Sequence, residues 1–464
     1  MAFVGREVEL SALRDWWERR PDRPALVWGR RRVGKTALIE RFADALPRVV
    51  FHTGDGDRAQ AELARLAASV QAAGMTRLRD VDANPYHDWY DALEHLANEA
   101  DQEPALLVLD EFPELLHGAP TLPGTLRAFL DRSRGRTLLR ILICGSAVRT
   151  MWSIQESRAP LYGRFNLTLP VYPFRPREAA MMLPGLAPED RALVYGLFGG
   201  MPLYLSWWGQ GRPFADNLIP LALSPGSPAL TEGRLIMETE VGSEQGGAVL
   251  SAIASGATKF SEIQDAVGFP PARPIDRLLE ARLISRIVPV GDEPSKSRRT
   301  IYRVSDNFLS FYLGPLRKYR TAIERGRGAT VLPALERGLD DFMGLPYEAA
   351  FRECLWDKAF DGTLGIRDVV DIGPWWTTGG QGQIDAVLLA EPERTRIPVA
   401  VGESKWARSV NGGRQRARLT AKAAALTPDV DRLAYIICAR SEVVTQPESD
   451  TIVITAADIF PDPR

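Results

Sequence analysis

The sequence predicts an α/β protein of several domains, and three observations carry that prediction. A short apolar strand in "PALVWGRRRVGKTALIERF" runs into a glycine-rich loop and then into an amphipathic helical pattern. Two further apolar stretches, "EPALLVLDEF" and "TLLRILICGSAV", end in polar residues, as buried strands do where they open onto a site. Toward the C-terminus, "IRDVVDIGPWW", "QIDAVLL", "IPVAVGESKW" and "RLAYIICAR" read as strands interleaved with helices, a second small α/β sheet.

At 464 residues the chain is long for one domain, and about three domains is the natural expectation. It has 45% hydrophobic and 25% charged residues and a net charge of −2, an ordinary globular composition. This is no polycation, so nucleic-acid contact would need local basic patches. Cys144, Cys354 and Cys438 lie far apart without CxxC or Cys/His spacing, which argues against disulfides and zinc. His52, His87, His95 and His117 lack metal-type spacing and read as surface or satisfied core residues. "MAFVGREVELSALRDWWERR" has no h-region, and no apolar run reaches the roughly 18 residues of a membrane helix. A cytoplasmic protein without a membrane partner is expected.

The first loop is Gly29-x-x-x-x-Gly34-Lys35-Thr36. Its glycines let the chain fold tightly, so that backbone N–H groups and the following helix N-terminus surround a phosphate. Lys35 would then reach the β/γ-phosphates and Thr36 would ligate Mg²⁺, which makes ATP the expected cofactor. The strand in "EPALLVLDEF" ends in Asp110-Glu111, where the first acid suits the Mg²⁺ shell and the second can polarise an attacking water. Ser146 ends the next strand and could sense the γ-phosphate. Arg158 and Arg164 in "SRAPLYGRF" are candidates for the positive charge that phosphoryl transfer favours, with surface and structural ion-pair roles as the alternatives. An arginine acting across a subunit boundary would require a homo-oligomer.

"FVGREVELSAL", "GRRRVGKT", "LLVLDEF", "LICGSA", "PLYGRF" and "GGMPLYL", in that order, resemble the archaeal-type ATPases of the AAA-like, signal-transduction (STAND) P-loop class. The resemblance covers about the first 210 residues. It implies a P-loop NTPase core over residues 1–175, with Phe3 to Glu7 near the adenine, and a helical lid over 176–245 that includes Gly199 to Leu205, with Pro202 near the nucleotide.

From about Gly247 the pattern changes to short helices and a hairpin. "AVLSAIASG", "KFSEIQDAVG" and "PARPIDRLLEARLI" form three helical segments, and "SRIVPVG" with "RRTIYRVSD" forms two strands. This suggests a winged-helix middle domain over 246–315, whose third helix often enters a DNA groove and which serves as often as a packing module. Arg273, Arg277 and Arg282, with Lys296, Arg298 and Arg299 in the wing, are the candidate phosphate contacts. "LRKYRTAIERGRG" then reads as a basic helical linker, 316–334.

The last domain, 335–464, carries ionisable residues inside strand-like text: Asp385, then Glu403 and Lys405. Residues two apart on a strand share a face, so Glu403 and Lys405 lie together, and Asp385 joins them if the strands pair. Two carboxylates supply hard oxygen ligands for Mg²⁺ or Mn²⁺, and a lysine beside them can orient water or stabilise charge on phosphorus. The bland alternative is an edge-strand Asp with Glu and Lys facing solvent. Trp375, Trp376 and Trp406 flank the triplet as core aromatics or as platforms for an unpaired base, and Arg408, Arg414, Arg416 and Arg418 follow it on a basic helix.

"YEAAFRE…QIDAVLL…GESKW" resembles the PD-(D/E)xK nuclease core that accompanies these ATPases, over about residues 335 to 440. The resemblance implies a restriction-endonuclease-like α/β domain in which Asp385, Glu403 and Lys405 are catalytic, Asp385 and Glu403 hold the metal, and Glu348 is an auxiliary acid. Gln383 departs from the pattern where an acid often precedes the Ile-Asp pair. Two functions are therefore expected to compete. One is an ATPase that controls a metal-dependent nuclease acting on DNA; the other is an ATP-dependent switch or DNA-binding regulator with a silent nuclease-like domain.

Overall fold

The computed structural model describes residues 3–19, 22–378, 382–392, 395–445 and 450–462. The chain divides into two compact units, Met1–Pro173 and Phe174–Arg464.

The first unit runs α1 (Glu7–Glu18), β1 (Ala25–Trp28), α2 (Lys35–Ala43), β2 (Val49–Thr53), α3 (Ala59–Ala72), α4 (Trp89–Glu99), β3 (Ala105–Asp110), α5 (Phe112–Gly118), α6 (Leu122–Ser133), β4 (Leu139–Gly145), α7 (Val148–Ser153) and β5 (Leu167–Pro170). Its five strands form one parallel sheet in the order β2-β3-β4-β1-β5. Parallel strands are covered on both faces, and β1, β3 and β4, the central three, are buried along their whole length, whereas the edge strands β2 and β5 are not. Leu63, Leu66, Leu93, Phe112 and Phe129 from the helices pack with Leu26, Leu107, Leu109 and Ile143 from the strands. Because β3, β4 and β1 are neighbours and run the same way, the loop after β1, the acids after β3 and Ser146 after β4 share one end of the sheet.

The second unit opens with helices α8 (Pro176–Met181), α9 (Pro188–Phe198), α10 (Pro202–Ser206), α11 (Phe214–Ala222) and α12 (Pro228–Ile236). Gly199 ends α9 at a left-handed φ of 67°, and Pro202 begins α10. Three helices come next, α13 (Glu244–Ala254), α14 (Phe260–Val267) and α15 (Ala272–Glu280), then an antiparallel hairpin of β6 (Ile284–Ile287) and β7 (Ile301–Val304), then α16 (Asn307–Leu313) and α17 (Arg320–Glu324).

The span 316–334, expected as a linker, holds α17 and then, from Gly328, runs without a break into the last domain. α18 (Gly328–Phe360) is one 33-residue helix that passes through position 335. The reason is its buried stripe, Leu332, Leu335, Leu339, Met343, Tyr347, Ala350, Phe351, Cys354 and Leu355, at helical spacing across the expected boundary. At about 1.5–3 kcal/mol for each large apolar side chain buried, that stripe outweighs the helix-breaking cost of Pro333 and Pro346.

The remaining elements are β8 (Val369–Trp375), β9 (Ile384–Ala390), β10 (Ile397–Lys405), β11 (Ser409–Asn411), α19 (Gly412–Ala423), β12 (Ala434–Ala439), β13 (Glu442–Val444), β14 (Ile452–Thr455) and α20 (Ala456–Ile459). A mixed sheet has the order β14-β12-β10-β9-β8, antiparallel from β8 to β10 and parallel from β10 to β14. α18 packs on one face against Ala386, Leu388, Ala400 and Ile436. Leu419 and Ala423 of α19 pack with Val387, Leu389, Val401 and Ile437, from the other set of alternating strand residues.

The hairpin is docked on this sheet. The Val290 N–H donates to the Pro374 carbonyl at 2.9 Å, and Arg299 Nη1 donates to the Trp376 carbonyl at 2.7 Å. Arg299 also pairs with Asp292 at 2.6 Å, and Lys296 with Glu293 at 2.6 Å, so these two expected phosphate contacts are engaged within the protein. Arg273 and Arg277 on α15 are exposed.

Candidate functional site

Two clusters of functional side chains result, one in each unit. In the first, Gly34 caps α2 at φ 89°, and a Cβ on Gly29 would lie 2.3 Å from the Val171 carbonyl oxygen, so both glycines are required by the backbone. Lys35 is 5% exposed, and its ammonium donates to the Arg30 carbonyl at 3.1 Å inside the loop. Thr36 Oγ1 donates to Asp110 Oδ2 at 2.9 Å. Asp110 Oδ1 is buried without a hydrogen-bond partner among the described residues. A buried carboxylate oxygen left open beside a threonine hydroxyl fits an oxygen-seeking cation such as Mg²⁺.

Glu111 adopts a left-handed conformation (φ 47°) as α5 begins, and its Oε2 accepts from the Ser146 hydroxyl at 2.8 Å and the Ser146 N–H at 3.2 Å. The two strand ends are thereby tied together. Two arginines join this cluster that motif reading did not select. Arg31 Nε donates to Ser146 Oγ at 3.4 Å, and Arg6 Nη2 reaches the Val33 carbonyl at 2.9 Å, which docks the "FVGRE" segment on the loop. Their positions inside "GRRRVGKT" and "FVGRE" were the available signal. Arg164 pairs instead with Asp131 on α6, the structural ion-pair alternative, and Arg158 is exposed.

In the second cluster, β9 and β10 pair antiparallel with Gly402 opposite Ala386, so one further step along the ladder sets Glu403 against Asp385. Lys405 Nζ donates to Glu403 Oε1 at 2.7 Å and lies 3.9 Å from Asp385 Oδ2. Asp385 Oδ2 accepts the Ser404 N–H at 2.9 Å. The pleat is irregular here: Ile384 packs with Val387 and Leu389, and the β8–β9 register shifts between Gly373 and Trp375. Simple alternation therefore does not fix where Asp385 points.

Glu348 approaches from α18. Its Oε2 is buried with no hydrogen-bond partner among the described residues, and Arg303 Nη1 of β7 is 4.0 Å away. Burial, reinforced by the charge of Asp385, pushes Glu348 up to about 7. Burial and the charge of Glu403 also raise Asp385 above the usual carboxylate range. Burial alone would lower Lys405, but its hydrogen bond to Glu403 and the charges of Glu403, Asp385 and Glu348 outweigh that and keep it an ammonium.

Lys422 on α19 completes the group and was not singled out from the sequence. Its ammonium donates to both oxygens of Glu403, each at 2.8 Å. Glu403, Asp385 and Glu348 are hard oxygen donors of the kind Mg²⁺ and Mn²⁺ take, although no set of three or more His, Cys, Asp or Glu among the described residues is grouped closely enough to hold an ion. Gln383 is exposed.

The flanking residues are mostly structural. Trp375 lies in the core with Ile384 and Val387, the Trp376 carbonyl is held by Arg299, and the Trp406 indole N–H donates to Asp340 at 3.1 Å. Arg416 pairs with Asp450 and lies over the Tyr435 ring, whereas Arg408, Arg414 and Arg418 are exposed.

Residues 3–207 match a family described as an ATPase domain predominantly from Archaea, and residues 312–417 match one described as archaeal and bacterial proteins of unknown function. The chain is 25% identical over 409 residues to an uncharacterized protein of Methanocaldococcus jannaschii, covering 87% of each. A Walker-type ATPase of Pyrococcus abyssi superposes with a TM-score of 0.54 at 18% identity, over 67% of this chain and 96% of that one, a likeness of fold. The ORC2 protein of Aeropyrum pernix, in ADPNP and ADP complexes, gives a TM-score of 0.46 at 15% identity, over 69% and 94% of the two chains. Residues 3–207 accordingly match an archaeal-type ATPase domain, in keeping with the glycine-rich loop at their centre. Among the described residues no helix is long and apolar enough to cross a membrane.

Proposed function

We propose that this chain is an ATPase that controls a Mg²⁺- or Mn²⁺-dependent endonuclease acting on DNA. The observation that carries the reading is the convergence of Asp385, Glu403 and Lys405 from paired strands, with Glu348 brought in by α18.

In the ATPase unit, Lys35 contacts the β/γ-phosphates, Thr36 and Asp110 hold Mg²⁺, Glu111 orients the attacking water, and Ser146 relays the γ-phosphate to Glu111 through their hydrogen bond. Arg31, bonded to Ser146, supplies the positive charge for which Arg158 and Arg164 were the candidates. In the second unit, Asp385 and Glu403 would hold the divalent ion. When bound, it would lower the pKa of a coordinated water and neutralise charge on the phosphate. Lys405, kept protonated by its acids, stabilises the pentacovalent phosphate, and Glu348, raised to about 7, exchanges a proton with water near neutral pH. The three helices and hairpin from α13 to β7 act as a winged helix, with exposed Arg273 and Arg277 on its third helix turned to DNA phosphates.

The test is cleavage of supercoiled plasmid with Mg²⁺ or Mn²⁺, with and without ATP. Asp385→Ala should abolish nicking while ATP hydrolysis persists; cutting undiminished in that variant defeats the nuclease assignment. A second reading, an ATP-dependent regulator with a silent nuclease-like domain, draws on the lysines that occupy both Glu403 oxygens. It predicts ATP hydrolysis and DNA retention without strand breaks under every metal condition.

A further inference from the structure

The two lysines on Glu403 come from different elements: Lys405 from the same strand and Lys422 from α19. Glu403 is 7% exposed, while Lys405 and Lys422 keep 41% and 30% of their side-chain surface in solvent. With Asp385 and Glu403 ionised, two negative charges face two positive ones, so the cluster is closed as an ion-pair set. Both oxygens of Glu403 already accept from an ammonium, Oε1 from Lys405 and Lys422 and Oε2 from Lys422, so a cation approaching either meets a like charge. Lys405 is tethered two residues away and also faces Asp385 at 3.9 Å. Lys422 sits near the end of α19 and holds only Glu403 among the described ion pairs.

We propose that Lys422 is an exchange residue that ties metal entry to substrate entry, an inference that rests on the nuclease-like reading of this site. In the unliganded chain it substitutes for the cation on Glu403. When a divalent ion enters, Lys422 swings away and its ammonium takes a phosphate oxygen of the nucleic acid. The charge balance favours this coupling: with Glu348 protonated, Asp385, Glu403, Lys405 and Lys422 sum to zero, a divalent ion adds two positive charges, and a phosphodiester offsets one of them. Metal and nucleic acid should each strengthen the binding of the other, and by linkage to the same degree.

The experiment is calorimetric titration of Mn²⁺ into the full nucleotide-free chain, with and without a short duplex whose phosphorothioate linkages resist cleavage. Asp385→Ala identifies the heat belonging to this site, and thermal melting in EDTA checks that each variant is folded. The wild-type chain should bind Mn²⁺ at least about fivefold more tightly when the duplex is present, within the usual range of coupling between sites. Lys422→Met, which keeps the alkyl stem, should bind Mn²⁺ more tightly than wild type without duplex and lose most of the gain that duplex confers. Lys422→Arg should retain part of it.

Mn²⁺ binding by Lys422→Met that matches wild type in both conditions overturns the exchange role while leaving the nuclease reading intact. Weaker binding without duplex also overturns it, because Lys422 would then be supporting the ion rather than competing with it. A wild-type chain with no heat that Asp385→Ala removes defeats the metal site itself and the exchange with it.

Discussion

The two acidic clusters hold their carboxylates in opposite ways. At the glycine-rich loop, Asp110 is held by the Thr36 hydroxyl and Glu111 by Ser146, neutral donors, while Lys35 and Arg31 bond to the Arg30 carbonyl and to Ser146 rather than to either acid. On the C-terminal sheet, Glu403 is held by two ammonium groups. The first arrangement keeps one buried carboxylate oxygen without a hydrogen bond, and the second pairs its acid with lysines. A site fixed by hydroxyls would be set for an ion before the ion arrives; a site fixed by lysines would have to be rearranged first.

The largest effect expected from this comparison is kinetic. Lys35→Ala should lower ATP-dependent phosphate release by about a hundredfold or more with little change in melting temperature, since removal of a preorganised charged contact has that magnitude. Persistent turnover would mean that the ammonium, which reaches the Arg30 carbonyl, is a structural strut. Next is stability of the metal-free chain. Glu403→Gln leaves two lysines without their partner and should cost about 1–2 kcal/mol in urea unfolding, a figure reduced because both lysines are partly exposed.

A third test concerns pH. Glu348 is raised from its usual 4.5 to about 7, so between those values the folded chain binds the proton more tightly than the unfolded chain does. Stability therefore falls as pH climbs through that window, and the loss is complete above about 7. Glu348→Gln should flatten the slope and recover about 1 kcal/mol at pH 8, after discounting for its 16% exposure. The smallest effect is the sharpest contrast. Asp110→Asn keeps an acceptor for Thr36 and removes a buried charge, so metal-free stability should change by less than about 0.5 kcal/mol. A loss equal to that of Glu403→Gln would erase the distinction between the clusters.

The phosphate loop was readable because its parts are contiguous: Gly29, Gly34, Lys35 and Thr36 act through local backbone geometry, and Asp110 follows from the polarity of a parallel strand. The C-terminal cluster was only half readable. The shared face of Glu403 and Lys405 follows from strand alternation, but the position of Asp385 depends on an irregular pleat that no pattern of apolar residues announces. Lys422 lies 19 residues beyond Glu403, and only the phase of α19 on the sheet brings it back. Arg299 was a candidate phosphate contact because it is basic in either role, and only the docking of the hairpin on β8 shows that its fork is spent on Asp292 and the Trp376 carbonyl. The break expected at 334/335 falls inside α18, because the segment's basic residues read as a linker while the apolar stripe that begins at Leu332 carries the helix across it.

The uninterrupted α18 has a mechanical corollary. At 1.5 Å per residue its 33 residues make a rod of about 50 Å, and each residue advances the azimuth by about 100°. One alanine inserted ahead of Leu339 would swing Glu348 a quarter-turn or more off its target and scramble the seating of Phe351, whereas seven inserted residues would nearly restore the angle while pushing the far end along the axis. Angular phase and axial reach are thus set by a single shaft, and the acid it carries can be dialled in or out by the number of residues preceding it.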